Sequence, residues 1–220
     1  VFPEIRMARV DMDAAARRNV VEKSLRAFAR GELDLLAGTQ MIAKGLDFPG
    51  VTLVGVVSAD AALFFPDFRA EERVYQLLTQ VSGRAGRGSK AGEVVIQTMN
   101  PEHPVLRAGE RGDWELFQAN LLRARGQLGY PPFQRLGRVV LESLKEEEAS
   151  ASAVAFAKAA WLKGSGVEVL GPAPAPLSKI SNRHRFHVLI KGKSHAPLRE
   201  AILRGRKAVG NLKRVVERFA

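Results

Sequence analysis

Two arginines and a glutamine near the middle of the sequence have the types and spacing to bind a phosphate group. They lie in residues 76–88, QLLTQVSGRAGRG. The guanidinium groups of Arg84 and Arg87 stay charged, and each planar fork can hold two phosphate oxygens. Glycines at 83, 86 and 88 let the backbone approach a ligand closely. The segment predicts either a phosphate-binding clamp or a flexible, solvated loop.

A second polar loop occurs earlier in the sequence. Residues 38–49, GTQMIAKGLDFP, directly follow Leu33–Ala37, a short apolar run typical of a buried strand. A further strand is predicted between the two loops, at Val51–Val57. Because ligand-binding loops of α/β sheets lie at the carboxyl ends of the strands, we expect the two loops to face one cleft.

Hydrophobic periodicity predicts the elements that position these loops. An apolar stripe at helical spacing predicts a helix that ends at Gly83 and exposes Gln80. The stripe consists of Val74, Leu77, Leu78 and Val81. Up to about residue 104, predicted strands and helices alternate. This order predicts an α/β fold with a parallel sheet and helices on both faces.

The second half of the sequence predicts a smaller α/β unit. A connecting helix at Asp113–Arg125 is expected to bury Trp114, Phe117 and Leu121. Beyond it we predict strands at 136–144, 167–170, 185–191 and 213–219 and helices at 147–163 and 197–209. A proline-rich bend at 171–176 is expected to join two of the strands. This βαββαβ order predicts a ferredoxin-like sandwich.

Both loops resemble motifs of superfamily 2 helicases: residues 38–49 resemble motif V, and residues 76–88 resemble motif VI. Surrounding segments narrow the resemblance to the PriA family of replication-restart helicases, also called primosomal protein N-prime. These segments are RVDMD at 9–13, PDFRAEER at 66–73, NPEHP at 100–104 and, more loosely, YPPF at 130–133 through VLGPAP at 169–174. The resemblance implies an incomplete RecA-like helicase lobe followed by a C-terminal domain.

The resemblance implies a nucleotide site on the matching residues. In similar helicases the motif VI arginines reach the γ-phosphate of ATP bound to the other lobe, so Arg84 and Arg87 would be arginine fingers. Gln80 would sense the same nucleotide beside Gly83, and Asp47 would approach the ribose or the motif VI residues.

DNA contacts are expected in two regions. The resemblance implies that the motif V residues Thr39, Gln40 and Lys44 contact the backbone of single-stranded DNA. Charge indicates the second region, because residues 171–220 hold 12 Lys and Arg against 2 Glu, whereas the net charge of the whole chain is +11. A solvated basic face is one interpretation, and contact with nucleic-acid phosphates is the one we favour. The candidate cations are Arg183, Arg185, Lys191 and Lys193.

Parts of an ATPase are missing from the sequence. It contains neither GxxxxGK[ST], which cradles phosphates, nor a DEAH-like tetrad, which holds Mg²⁺. The family has both upstream, so we expect ATP and Mg²⁺ to be bound mainly by a preceding lobe and this chain alone to be inactive. A zinc site of the family also lies outside these residues.

Other function classes are disfavoured. The chain has no cysteine, and His184 and His187 fall on opposite faces of a predicted strand, so no metal site is predicted within it. No apolar run long enough to cross a membrane and no signal peptide occur, which predicts a soluble protein.

These observations lead to one main hypothesis and one alternative. The main hypothesis is part of an ATP-dependent 3′ to 5′ helicase that binds stalled forks and reloads the replisome. The alternative is a fork-binding scaffold that recruits partners without hydrolysing ATP. We expect a helicase lobe at 1–108, a connection at 109–132 and a DNA-binding domain at 133–220. Expected partners are forked and single-stranded DNA, primosome proteins and single-strand-binding proteins, in the bacterial cytoplasm at the nucleoid.

Overall fold

Two units make up the chain in the computed structural model, Val1–Phe117 and Gln118–Ala220. The structure describes residues 3–10, 18–39, 48, 50–83, 92–210 and 215–219. The elements are, in chain order, β1 (Met7–Val10), α1 (Arg18–Ala29), β2 (Leu35–Gly38), β3 (Leu53–Val56), α2 (Ala59–Leu63), α3 (Ala70–Ser82), β4 (Glu93–Ile96), α4 (Pro104–Arg111), α5 (Trp114–Leu128), β5 (Arg135–Ser143), α6 (Glu146–Ala160), β6 (Val167–Ile180), β7 (Arg183–Gly192), α7 (His195–Val209) and β8 (Val215–Phe219).

The first unit is built on short parallel strands. β1 pairs with β2, and β3 pairs with β4, each in parallel register over four residues. Parallel neighbours need a crossover connection, which α1 supplies in the first pair and α2 with α3 in the second. The predicted α/β class is confirmed. Among the described residues the two pairs remain separate two-stranded sheets, whereas the sequence predicts one sheet.

The second unit confirms the predicted βαββαβ order. Its four strands form one antiparallel sheet in the order β6-β7-β5-β8. The first and third strands of the unit, β5 and β7, are therefore central, which is the arrangement of a ferredoxin-like sandwich. In β5 and β7 the residues alternate between a face that packs on α6 and α7 and a face without these helices.

The core of the second unit lies between the sheet and its two helices. From the sheet, Val139, Leu141, Val188 and Ile190 are fully buried. On α6, Phe156 is surrounded by alanines, and α7 contributes Leu198 and Ile202. Small residues on α6 and Gly205 on α7 let the two helices approach, since a Cβ at position 205 would lie 2.6 Å from the Phe156 ring.

Two sequence predictions, one in each unit, were wrong. β6 extends through the proline-rich segment to Ile180, although a bend was expected after Leu170. The prolines are tolerated because β6 is an edge strand, where a missing N–H costs little, and the pairing shifts register between Leu170 and Ala173. On α5, Phe117 and Leu121 are buried as expected, but Trp114 is 47% exposed.

Candidate functional site

The predicted phosphate clamp comes directly after α3 in the chain. Three residues of its apolar stripe, Val74, Leu78 and Val81, are buried together with Tyr75, and the fourth, Leu77, is half-buried. Glu71 and Glu72 lie in the first turn, where their negative charges interact favourably with the positive end of the helix dipole. The helix ends at Gly83, whose N–H donates to the carbonyl of Thr79 at 3.1 Å.

Two contacts fix α3 to its neighbours in the first unit. The rings of Tyr75 and Phe117 are stacked, with centroids 4.3 Å apart and planes 7° apart. Leu78 packs against the backbone of α4 at Gly109, where a Cβ would lie 2.6 Å from Leu78 Cδ1. The end of α3 is therefore supported by packed neighbours, which is what a loop that orients charged groups requires.

The predicted nucleotide residues are only partly described. Gln80 is exposed on the last turn of α3, on the side away from the buried stripe, as the periodicity predicts. Gly83 caps the helix. Arg84, Arg87 and Asp47 lie outside the described residues.

The motif V residues are described at one position only. Thr39 is exposed directly after the end of β2. Gln40 and Lys44 lie outside the described residues, so their DNA contacts stay predictions.

A buried carboxylate holds the ends of β3 and β4 together. Asp60, the second residue of α2, accepts hydrogen bonds from the backbone N–H of Met99 at 2.9 Å and the hydroxyl of Thr98 at 3.0 Å. The Met99 N–H is the main cause that lowers the pKa of Asp60, and the Thr98 hydroxyl adds to it. The sequence assigns no role to this carboxylate, because its partners lie 38 and 39 residues away.

Arg185, a predicted DNA contact, is engaged within the second unit. Its Nε donates to the Glu142 carboxylate at 2.8 Å, and its Nη1 donates to the carbonyl of Leu177 at 3.2 Å. The side chains of Arg185 and Glu142 are 17% and 9% exposed. The positive charge is thus balanced by a neighbouring strand, which leaves it less available to a phosphate.

Lys191, a second predicted contact, is similarly engaged. Its Nζ lies 2.9 Å from the Glu168 carboxylate, donates to the carbonyl of Leu128 at 3.1 Å and lies over the Tyr130 ring. Only 11% of the Lys191 side chain is exposed. The lysine connects the end of α5 to the sheet, and whether it also touches DNA stays a prediction.

Arg183 and Lys193 lie at the two ends of β7 and differ from the other two cations. Lys193 is exposed and Arg183 is half-buried. In the part of the chain that the structure describes, neither side chain has a recorded ion pair. Of the four predicted cations, these two are the better placed to meet DNA phosphates.

Within the described ranges, no group of three His, Cys, Asp or Glu residues is arranged to hold a metal ion. His184 lies 3.5 Å from Glu146, whereas His187 faces the other side of the sheet. Burial, together with the charge of Arg138, lowers the pKa of His187. None of the described helices combines the length and the apolar character needed to cross a bilayer.

Comparison with known proteins identifies both units. The helicase conserved C-terminal domain matches residues 4–89, and the primosomal protein N C-terminal domain matches residues 126–217. The chain is 44% identical to the replication restart protein PriA of Bacillus subtilis, over 99% of the chain and 27% of that protein. It is 39% identical to the protein of the same name from Haemophilus influenzae, over 92% of the chain and 28% of that protein. The chain spans about a quarter of the length of these relatives.

Proposed function

Because the chain belongs to the PriA family of replication restart proteins, we propose that it supplies one motor lobe and a DNA-binding domain to an ATP-dependent 3′ to 5′ helicase. The helicase would bind stalled or branched forks and couple ATP hydrolysis to unwinding and replisome reloading. We assign residues 1–108 to the lobe, 109–132 to the connection and 133–220 to the DNA-binding domain.

The observation that carries this proposal is the position of α3. The helix is fixed by the Tyr75 stack and by Leu78, exposes Gln80 and ends at Gly83, immediately before Arg84. We assign Arg84 and Arg87 to charge stabilisation at the γ-phosphate, and Gln80, Gly83 and Asp47 to the nucleotide site. Arginine fingers act by stabilising transition-state charge and contribute about 10³ to 10⁵ in turnover.

The glutamine and the two arginines of this site fit a phosphate. A glutamine and two arginines offer N–H donors, and the described residues contain no carboxylate cluster that would hold Mg²⁺. ATP with Mg²⁺ would supply the phosphoryl group and neutralise its charge. This chain would supply the arginines, while another part of the complete protein would bind ATP. A zinc site of the family would also lie outside this chain.

DNA contact is assigned to both units. In the first, Thr39, Gln40 and Lys44 would hold the backbone of a single strand. In the second, Arg183 and Lys193 would meet phosphates, and Arg185 and Lys191 would contribute less because each has a carboxylate partner. The net charge of +10 over residues 171–220, from 12 basic and 2 acidic residues, supports this assignment. We also propose forked DNA, primosome proteins and single-strand-binding proteins as partners, in the bacterial cytoplasm at the nucleoid.

ATP hydrolysis by the complete protein tests the proposal. Turnover should be stimulated by forked DNA and should fall about 10³-fold or more with Arg87→Ala. Arg111→Ala, at the exposed end of α4, is the matched control and should leave turnover unchanged. Wild-type turnover by Arg87→Ala would refute the finger assignment.

The second candidate is a fork-binding scaffold without ATPase activity. These 220 residues do not exclude it, because they contain neither the P-loop nor the DEAH-like tetrad that would decide between the two functions. Fork binding by the complete protein without any ATP turnover would support it over the helicase.

A further inference from the structure

The hairpin formed by β6 and β7 ends in a tight turn at Ser181 and Asn182. Both residues have positive φ, 50° and 59°, as a two-residue turn matched to the strand twist requires. Ile180 pairs with Arg183, and Lys179 pairs with His184. The turn therefore fixes which side chains share a face at the end of the hairpin. We call residues 177–183 the hairpin tip.

The hairpin tip combines exposed apolar side chains with cations. Leu177 is 55% exposed and Ile180 is 43% exposed. Arg183 lies beside Ile180 on the face of the sheet away from the helices, whereas Lys179, which pairs with His184, is exposed on the opposite face of the hairpin. No Asp or Glu occurs between Glu168 and Glu200. A partner for this surface must carry negative charge close to apolar area.

The backbone of the tip is held in place by Arg185. β6 shifts register between Pro174 and Lys179, so part of this strand does not follow the regular ladder with β7. Across this irregularity, Arg185 donates to the carbonyl of Leu177 while Glu142 holds its Nε. This hydrogen bond restricts the backbone at Leu177 before any partner arrives, and such pre-organisation reduces the entropic cost of binding.

Nucleic acid with an interrupted base stack matches this chemistry. Phosphates provide negative charge, and an uncovered base provides an apolar face beside it. In continuous duplex the base faces are covered by their neighbours, so an apolar side chain reaches a base face there only by paying the cost of unstacking it. A branch point offers both features at one place.

We propose that the hairpin tip binds the branch point of DNA, with Leu177 and Ile180 packing on uncovered base faces and Lys179 and Arg183 contacting the adjoining phosphates. Arg185 is a positioning residue for this contact. The inference rests on the proposed function, because it assumes that the protein acts on branched DNA, and it adds the element that distinguishes a branch from plain duplex.

Affinities of the complete protein for a fork and for a duplex of equal length test the inference. The Leu177→Ser, Ile180→Ser double variant keeps the charge and should lose about tenfold in fork affinity, while duplex affinity stays unchanged. The Lys179→Gln, Arg183→Gln double variant should weaken binding to both and reduce the salt dependence by about one unit of slope per lost phosphate contact.

Two control variants separate the effect of the hairpin tip from the effect of losing any exposed leucine or lysine. Leu203→Ser removes an equally exposed leucine from α7, and Lys158→Gln removes an exposed lysine from α6. Both should leave the ratio of fork to duplex affinity at the wild-type value. Thermal unfolding of every variant should match wild type, since all the changed side chains are exposed or half-buried.

The possible outcomes are distinct. A wild-type ratio in the Leu177→Ser, Ile180→Ser variant would overturn the tip assignment while fork-stimulated ATP turnover still supported the proposed function. Equal losses on fork and duplex would also overturn it, because they would show a contact that does not depend on the branch. Failure of the wild-type protein to bind forks would refute both.

Discussion

The ammonium group of Lys191 donates a hydrogen bond to the backbone carbonyl of Leu128, 63 residues earlier in the chain, at 3.1 Å. The same group lies 2.9 Å from Glu168 on β6. One nearly buried cation thus joins the end of α5, the edge strand and β7. A residue whose charge suggests a DNA contact has a structural role that the sequence alone does not reveal.

Lys191→Met should lower the free energy of unfolding of the second unit by about 1–3 kcal/mol, because the Leu128 carbonyl loses its donor. Chemical denaturation of the chain, followed by fluorescence of Trp161 in a Trp114→Phe background, measures this. Lys193→Met is the control, and we expect stability within about 0.5 kcal/mol of wild type since Lys193 is exposed. Equal stability of both variants would show that the Lys191 contacts contribute nothing.

Glu142→Gln should destabilise the second unit by about 3 kcal/mol, because it leaves the largely buried charge of Arg185 without its carboxylate. The same fluorescence measurement applies. Glu146→Gln changes a carboxylate that is 64% exposed and faces His184, so its effect should be below about 1 kcal/mol. A small effect of Glu142→Gln would mean that water replaces the carboxylate at Arg185.

Gly205→Ala should be destabilising even though alanine favours a helix by about 1 kcal/mol. The new Cβ would lie 2.6 Å from the ring of Phe156, which is fully buried, and overpacking costs about 1–3 kcal/mol. Gly126→Ala on α5 is the control, because its Cβ would meet the Phe133 ring at an ordinary 3.4 Å. We expect that variant to be as stable as wild type or slightly more so. A second change, Phe156→Leu, should recover part of the loss caused by Gly205→Ala.

The pH dependence of the first unit should depend on Asp60. Its pKa is lowered on folding by the Met99 N–H and the Thr98 hydroxyl, so the unfolded chain binds the proton first as the pH falls. The stabilisation is therefore complete above the ordinary aspartate pKa of about 4 and is lost as the pH falls through the lower folded value. Asp60→Asn should be less stable than wild type at pH 7, and the difference should shrink below about pH 4. Denaturation followed through Trp114 in a Trp161→Phe background checks this, and a pH-independent difference would contradict it.

The order of elements could be predicted from the sequence because it depends on local periodicity. The alternation in Arg185–Lys191 and the helical stripe around Leu78 identify a strand and a helix without knowledge of any other part of the chain. The extent of β6 could not be predicted from the sequence, since a strand tolerates these prolines only where it lies at the edge of the sheet.

In the candidate site, too, local features could be predicted from the sequence and contacts between distant residues could not. Exposure of Gln80 and the end of α3 at Gly83 follow from the local pattern. The engagement of Arg185 by Glu142 does not, because 43 residues separate the pair and only the register of β5 with β7 brings them together. A net charge calculated from the sequence treats Arg185 as a free cation, although in the folded protein it is paired with Glu142.

The strand order of the second unit also has a consequence for synthesis on the ribosome. β5 is paired on one side by β7 and on the other by β8, whose residues are made about 75 positions later. Until β8 has left the ribosome, one hydrogen-bonding edge of the most buried strand of this unit has no partner from its own sheet. Unpaired strand edges promote association with other chains, so this edge of β5 is open to such association in this interval.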